Sequence, residues 1–301
     1  MTQTTSTPVR LRARDGFVLA ARHFTPTTTT PPARPAGAVV IASATGVKAT
    51  YYRRYAEFLA GHGFHAVTFD YRGVGESREP FAVARRARWA DWGALDADAV
   101  LGWARTRLPG PLLTVGHSYG GFGIGLADEA RHVARHMAVG GQHAYWRDYR
   151  ARPGRARMWA RWHAAMPAIT LARGHFPGRR LGWLEDLPRG VALDWARSRR
   201  DFTASARTTA GRDELRRRLA AFTADALIVA PVDDDFGTGA ALDRADAYSP
   251  GRRTVRWRVR PEELGVAEIG HFGLFHARFA PTFWPATLEW LRDGVAPAAA
   301  R

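Results

Sequence analysis

From Val9 to Ala13 apolar residues alternate with Arg10, Arg12 and Arg14. Asp15-Gly16 interrupts the alternation, and Phe17, Leu19 and Ala21 resume it. A period of two on either side of Asp-Gly predicts an antiparallel hairpin closed by a tight turn. Thr25 to Pro35 is rich in Thr and Pro and reads as a loop. Short apolar runs follow at Ala38–Ala42, Ala66–Phe69, Leu112–Val115, His136–Val139 and Ala226–Ala230, while Val255, Trp257 and Val259 alternate with arginines, and each segment is expected to be a strand. Helical spacing falls between them. Tyr52, Tyr55, Phe58 and Leu59 share one face of a stretch from Tyr51 to Ala60, Leu95 to Arg107 is helical, and a Gly/Ala stretch after Gly116 is compatible with a helix to about Ala130. Ala240–Ala247 and Phe283–Leu291 complete the set. Strands alternating with helices predict an α/β protein whose mostly parallel sheet is covered on both faces.

The alternation fails between residues 141 and 215. This stretch has no clear strand, holds five of the 11 Trp, and is broken by Pro or Gly at 153, 154, 167, 174, 177 and 178. It predicts an irregular, mainly helical insertion, with residues 1–140 and 216–301 forming the core around it. Length supports one core with an insertion, or two domains: 301 residues exceed a minimal domain. Cysteine is absent, which removes disulfides, thiolate metal sites and cysteine nucleophiles. No apolar run reaches the length of a membrane span, and the first thirty residues lack the apolar core of a signal peptide. The expectation is a cytoplasmic protein without a membrane span, its oligomeric state unknown.

Charge changes the picture only in one place. The net charge is +16, and Lys48 is the only lysine, so the excess is arginine. With abundant Ala and Gly, that resembles a high-GC coding bias. Residues 141–220 carry 18 Arg against 7 acids. Such a run is a solvated basic face, a preference for anionic ligands, or a nucleic-acid surface. No zinc-finger spacing, basic zipper or RNP-like aromatic motif accompanies it, so no nucleic acid is expected as a partner.

Gly116-His117-Ser118-Tyr119-Gly120-Gly121 fits Gly-x-Ser-x-Gly, with an apolar strand before it. A serine raised on a sharp strand-to-helix turn needs small residues two before and two after it. The turn lifts the hydroxyl to the carboxyl edge of the sheet and aims a helix N-terminus where an oxyanion would form. A serine needs a base. Ile269-Gly270-His271-Phe272-Gly273 follows the last strand, and His271 is the candidate, ahead of His276. The base needs an acid to hold its tautomer. Asp233, Asp234 and Asp235 follow the strand Ala226–Ala230; Asp234 is chosen and Asp233 is the reserve. The order Ser118, Asp234, His271 is that of one fold family. No further carboxylate or His cluster suggests a metal, and no cofactor is expected.

These pieces, together with Ala44-Thr45-Gly46-Val47 and Asp70-Tyr71-Arg72-Gly73-Val74-Gly75-Glu76-Ser77, resemble the α/β-hydrolase superfamily, and within it the serine-aminopeptidase-like or monoacylglycerol-lipase-like bacterial hydrolases. They span nearly the whole chain. The resemblance implies an eight-stranded, mostly parallel sheet, a Ser–His–Asp triad, and a cap at residues 141–215. It implies an oxyanion hole from the backbone N–H of Tyr119 and from the loop at Gly46 or Val47. That loop departs from the His-Gly-x of many members. The function expected is a serine hydrolase cleaving a small-molecule ester, thioester or amide. A non-hydrolytic catalyst on the same scaffold (an acyltransferase or lyase) and a ligand-binding protein are the alternatives. The Asp70–Ser77 segment is expected to be structural. The five Trp of the insertion (Trp146, Trp159, Trp162, Trp183, Trp195) either line an acyl pocket or anchor the cap.

Overall fold

A computed structural model describes residues 5–27, 36–78, 84–150 and 155–301. The hairpin forms as expected: β1 (Ser6–Arg12) pairs antiparallel with β2 (Val18–Phe24), Leu11 opposite Leu19 and Arg12 opposite Val18. Six parallel strands follow: β3 (Ala38–Ala42), β4 (His65–Phe69), β5 (Leu112–His117), β6 (Arg135–Val139), β7 (Asp225–Pro231) and β8 (Thr254–Val259). They assemble as one sheet in the order β1-β2-β4-β3-β5-β6-β7-β8, with β2 antiparallel to β4.

The unbroken apolar runs have a simple cause. Side chains of a strand point alternately to opposite faces. Val39 and Ile41 of β3 enter one hydrophobic cluster with Leu113 and Val115, and Ala38, Val40 and Ala42 enter another. The first cluster is closed by Tyr55 and Leu59 of the helix Arg53–Gly61 and by Trp284, Leu288 and Leu291 of the helix Phe283–Asp293. The second is closed by Val100, Leu101 and Ala104 of the helix Asp98–Arg107. A sheet buried on both faces leaves its carboxyl edge as the place where loops can gather a site.

One helix is shorter than expected. After β5 the α-helix spans only Tyr119–Gly123, and the chain continues in 3-10 turns, Ile124–Leu126 and Asp128–His132. Its glycines make close approaches. A Cβ on Gly93 would stand 2.1 Å from the Gly123 carbonyl oxygen. The Asp70–Ser77 segment is held from several sides. The buried Asp70 carboxylate accepts from the Ala49 and Glu76 N–H groups at 2.7 and 2.9 Å. Arg72 bridges Asp15 and the buried Asp96.

Between β6 and β7 the chain leaves the sheet. It forms the helices Arg155–Trp159, Met166–Arg173, Arg189–Ala196 and Thr209–Ala220, with a two-residue bridge between Phe176 and Leu187. The last of these helices runs through residue 215, the expected end of the insertion. Among the described residues, no helix is long and apolar enough to cross a membrane.

Candidate active site

Ser118 stands between β5 and the helix Tyr119–Gly123 with φ 53° and ψ −121°. A non-glycine residue rarely occupies that region, and strain of this kind persists only where the surroundings enforce it. They do so here. A Cβ on Gly116 would lie 2.4 Å from the Gly120 carbonyl oxygen, and one on Gly120 would lie 2.2 Å from that of Ala42. The glycines at both ends of Gly-x-Ser-x-Gly therefore allow the elbow to fold tightly.

His271 Nδ1 donates to Asp234 Oδ2 at 2.8 Å. With that nitrogen protonated, the neutral ring presents Nε2 as an acceptor. Asp234 is fully buried, and its other oxygen accepts from the Phe236 and Gly237 N–H groups at 2.7 and 2.8 Å. Burial pushes this carboxyl up, but the His271 charge and hydrogen bond, with the two N–H donors, outweigh it and hold the group below its ordinary value. Gly140 lies behind the pair, where a Cβ would approach Asp234 Oδ2 and His271 Cε1 to 3.0 Å each.

The other two acids have separate contacts. Asp233 Oδ2 accepts from the backbone N–H of Ile269 and Gly270 at 2.8 and 3.1 Å, so it holds the loop that carries His271. Asp235 pairs with Arg150 at 3.5 Å. Among the described residues, Ser118 and His271 share a cavity but no hydrogen bond joins them. Contacts of this type are often long before substrate binds. The Ser118 hydroxyl instead accepts from the Gln142 side-chain amide at 3.3 Å. Gln142 Oε1 in turn accepts from the N–H of Ala144, a residue in the left-handed region with φ 59°.

The loop after β3 was expected to offer an oxyanion donor at Gly46 or Val47. The Val47 N–H donates to the Ala44 carbonyl at 3.2 Å, so it is not free for an oxyanion. Neither Gly46 nor Val47 reaches the cavity, whose wall here is Ala44 and Thr45. The Ala44 N–H is also engaged, by the Tyr52 hydroxyl at 2.9 Å. Thr45 is the residue of this loop that lines the cavity with Ser118 and whose N–H is not among these engaged groups. Tyr119 opens its helix, where N–H groups lack intrahelical partners, and lines the cavity.

A buried chain of hydrogen bonds ties this loop to the His271 loop. The Tyr52 hydroxyl donates to His117 Nδ1 at 2.7 Å, and His117 Nε2 donates to the His271 carbonyl at 2.9 Å. Burial, with His271 nearby, lowers His117 to about 3, so it stays neutral and keeps one tautomer. Sequence reasoning missed Tyr52, His117, Thr45 and Gln142. Only the flanking position of His117 in Gly-x-Ser-x-Gly was a signal.

A family model described as serine aminopeptidase, S33, matches residues 33–226. The chain belongs to that family. It is an α/β-hydrolase. Solved structures share the fold. An α/β-hydrolase, GrgF, from Penicillium sp. sh18 aligns with TM-score 0.61 and 13% identity, over 97% of this chain and 100% of that one. A monoacylglycerol lipase from Paleococcus ferrophilus gives 0.56 and 14%, over 92% and 99%. A thermophilic esterase from Thermogutta terrifontis gives 0.57 and 17%, over 95% and 98%. At these identities the likeness carries the fold alone. A search of curated proteins returns no match.

In this α/β-hydrolase the Ser118 and His271 side chains open into a cavity of about 500 Å³. Its walls come from the core and from the helices between β6 and β7. An aromatic ladder links the two. Tyr119 stacks on Trp89 at 4.4 Å, Trp89 on Trp195 at 6.3 Å and Trp195 on Trp162 at 4.9 Å, with Trp183 edge-on to Trp162 at 5.6 Å. Trp162, Trp183 and Trp195 therefore line the cavity and also pack the insertion onto the core. Trp146 and Trp159 pack on each other outside it, and Trp159 is exposed. Among the described residues, no group of three or more His, Asp or Glu is gathered to hold a metal.

Proposed function

We propose that the protein is a serine hydrolase acting on a small-molecule ester, thioester or amide. The observation that carries this reading is the strained Ser118 on one cavity wall with His271, whose Nδ1 is held by the buried Asp234. Ser118 Oγ attacks the acyl carbon as His271 Nε2 takes its proton. The carbonyl oxygen becomes an oxyanion and receives the N–H groups of Tyr119 and Thr45. The intermediate collapses by expelling the leaving group, which takes the proton from His271. Water then attacks the acyl-enzyme with the same proton traffic, and the acid product departs. Asp234 keeps His271 in the working tautomer and stabilises its cation. Residues 141–215 act as a cap that shapes the acyl-binding space, a role supported by Trp162, Trp183 and Trp195 on the cavity wall.

The test is covalent labelling by a fluorophosphonate, with the modified residue located by mass spectrometry. Modification of Ser118 in the native chain, none in Ser118→Ala, and release of acid from a panel of esters, thioesters and aminoacyl amides are expected. A protein that neither labels nor turns over any of the panel is a binding protein. Transfer of the acyl group to an acceptor other than water identifies the non-hydrolytic alternative.

A further inference from the structure

Some of the arginines of residues 141–220 meet a carboxylate. Arg179 reaches Glu185, Arg216 reaches Asp201, Arg217 reaches Glu214 and Arg218 reaches Asp128. Arg157 and Arg161 differ. Both line the cavity that holds Ser118 and His271, and among the described residues neither has a carboxylate within 4.0 Å. They lie four residues apart, at the spacing that brings side chains together on one helical face, where like charges repel. Arg161 is fixed in place. Its guanidinium lies over Trp183 at 4.2 Å and over Trp162 at 4.9 Å, and its buried Nε has no hydrogen-bond partner. The negative group on the same wall, Asp235, has Arg150 beside it.

An apolar, tryptophan-lined cavity with two uncompensated guanidinium groups at one side is built for a ligand with an apolar body and an anionic end. We infer that the substrate of this site carries a carboxylate or phosphate remote from the scissile bond, received by Arg157 and Arg161. The inference rests on the hydrolase reading for the position of the scissile bond, and on the cavity alone for the anion. Arginine suits the task because its planar fork meets two oxygens at once and its face can stack on indole. The stack holds the donors in position before the ligand arrives, which lowers the ordering entropy of binding. A cavity of this volume accommodates a chain or ring system of small-molecule size.

The experiment uses three p-nitrophenyl esters of matched length: the hemisuberate, its methyl ester, and an octanoate ending in phosphonate. The quantity read is kcat/KM for each acidic ester over that for the neutral one. In the native chain one acidic ester is preferred. Its ratio falls about tenfold in Arg161→Gln and several-fold in Arg157→Gln, the loss expected for a charge-assisted hydrogen bond. The ratio is unchanged in Arg180→Gln, an exposed arginine of the same segment outside the cavity. Whichever acidic ester shows the larger arginine dependence names the anion. Arg157 is exposed, so its substitution leaves the fold intact even where Arg161→Gln disturbs the Trp stack.

A second measurement separates this inference from the hydrolase reading. Suberate and 8-phosphonooctanoate are titrated into Ser118→Ala, followed by tryptophan fluorescence, because Trp162 and Trp183 touch Arg161. Saturable binding lost in Ser118→Ala/Arg157→Gln upholds the anion site even where no ester is hydrolysed. Turnover of the neutral ester, with a ratio near one that neither arginine moves and no binding to Ser118→Ala, overturns the anion site and leaves the hydrolase standing.

Discussion

In β3 every residue from Ala38 to Ala42 is buried, whereas in the helix Arg155–Trp159 none is. The contrast runs through the molecule. The sheet packs apolar side chains on both faces and delivers Ser118, Asp234 and His271 from loops after β5, β7 and β8. The insertion packs mainly through its indoles and spends much of its polar surface on arginine. The difference matches what the proposed function asks of each region. Bond-making geometry tolerates displacements well below an ångström, and a close-packed sheet holds its loop origins to that standard. Recognition needs a wall whose shape and charge can vary, and short helices on an aromatic ladder provide one.

The strongest way to break this division is to remove the proposed nucleophile. Ser118→Ala should lower turnover by about four or more orders of magnitude, since triad members act as a unit. The thermal midpoint should change little, because the elbow keeps its glycines. Hydrolysis undiminished in a purified Ser118→Ala protein would sink the mechanism. Next in size is the acid. Asp234→Asn should reduce kcat by about three to four orders of magnitude by stabilising the wrong His271 tautomer. Asp233→Asn should cost roughly tenfold, because it loosens the Ile269 and Gly270 N–H contacts without touching the ring. Equal losses from both would mean that loop placement, not the tautomer, limits the rate.

Legibility in the sequence follows the same division. The inner β strands read directly because burial on two faces leaves short apolar runs between turn residues, and the outer ones because their exposure leaves an alternation. Ala38–Ala42 was legible to the residue. The proposed triad, Ser118, Asp234 and His271, was legible as a candidate because the steric demands of the elbow and the order of the loops leave a pattern in one dimension. Thr45 was not. Which N–H of Ala44-Thr45-Gly46-Val47 stays free depends on a turn that closes Val47 onto Ala44 and on a tyrosine from the next helix. Gln142 reaches Ser118 from across the β5–β6 pair, and nothing local marks it. Arg161 is one arginine among the 18 of residues 141–220, and its stacking on Trp183 and Trp162 at the cavity wall is what distinguishes it. The break after Gly123 went unseen because a glycine-rich helix and a glycine-rich series of turns have similar compositions.

Two substitutions of intermediate effect sharpen the contrast from opposite sides. Trp183→Ala removes cavity wall contributed by the insertion, so KM for a long-chain ester should rise about tenfold with kcat within threefold, the loss of one large apolar contact. Tyr52→Phe acts in the core. It leaves the Ala44 N–H and His117 Nδ1 buried without their partner. A stability loss of about 1–3 kcal/mol is expected by urea titration, the desolvation penalty of unpaired buried groups. A Tyr52→Phe protein as stable as the native chain would show that the hydrogen-bonded chain through His117 is not part of what fixes the two loops.

The smallest effect belongs to the join between the two regions. Lys48 Nζ lies 3.2 Å from Glu185 Oε1, with the side chains 41% and 18% exposed, and the Glu185 N–H donates to the Gly46 carbonyl at 3.0 Å. The insertion therefore rests on the loop that carries Thr45. An ion pair this exposed contributes about 0.2–1 kcal/mol, because water screens it and two long side chains must be ordered. A double-mutant cycle with Lys48→Met and Glu185→Gln should give a coupling in that range, smaller at high salt. The backbone contact survives both changes, so kcat/KM for a neutral ester should stay within about threefold, a difference under 1 kcal/mol. A loss of orders of magnitude would show that the insertion sets the position of Thr45, and that catalytic geometry is shared between the two regions.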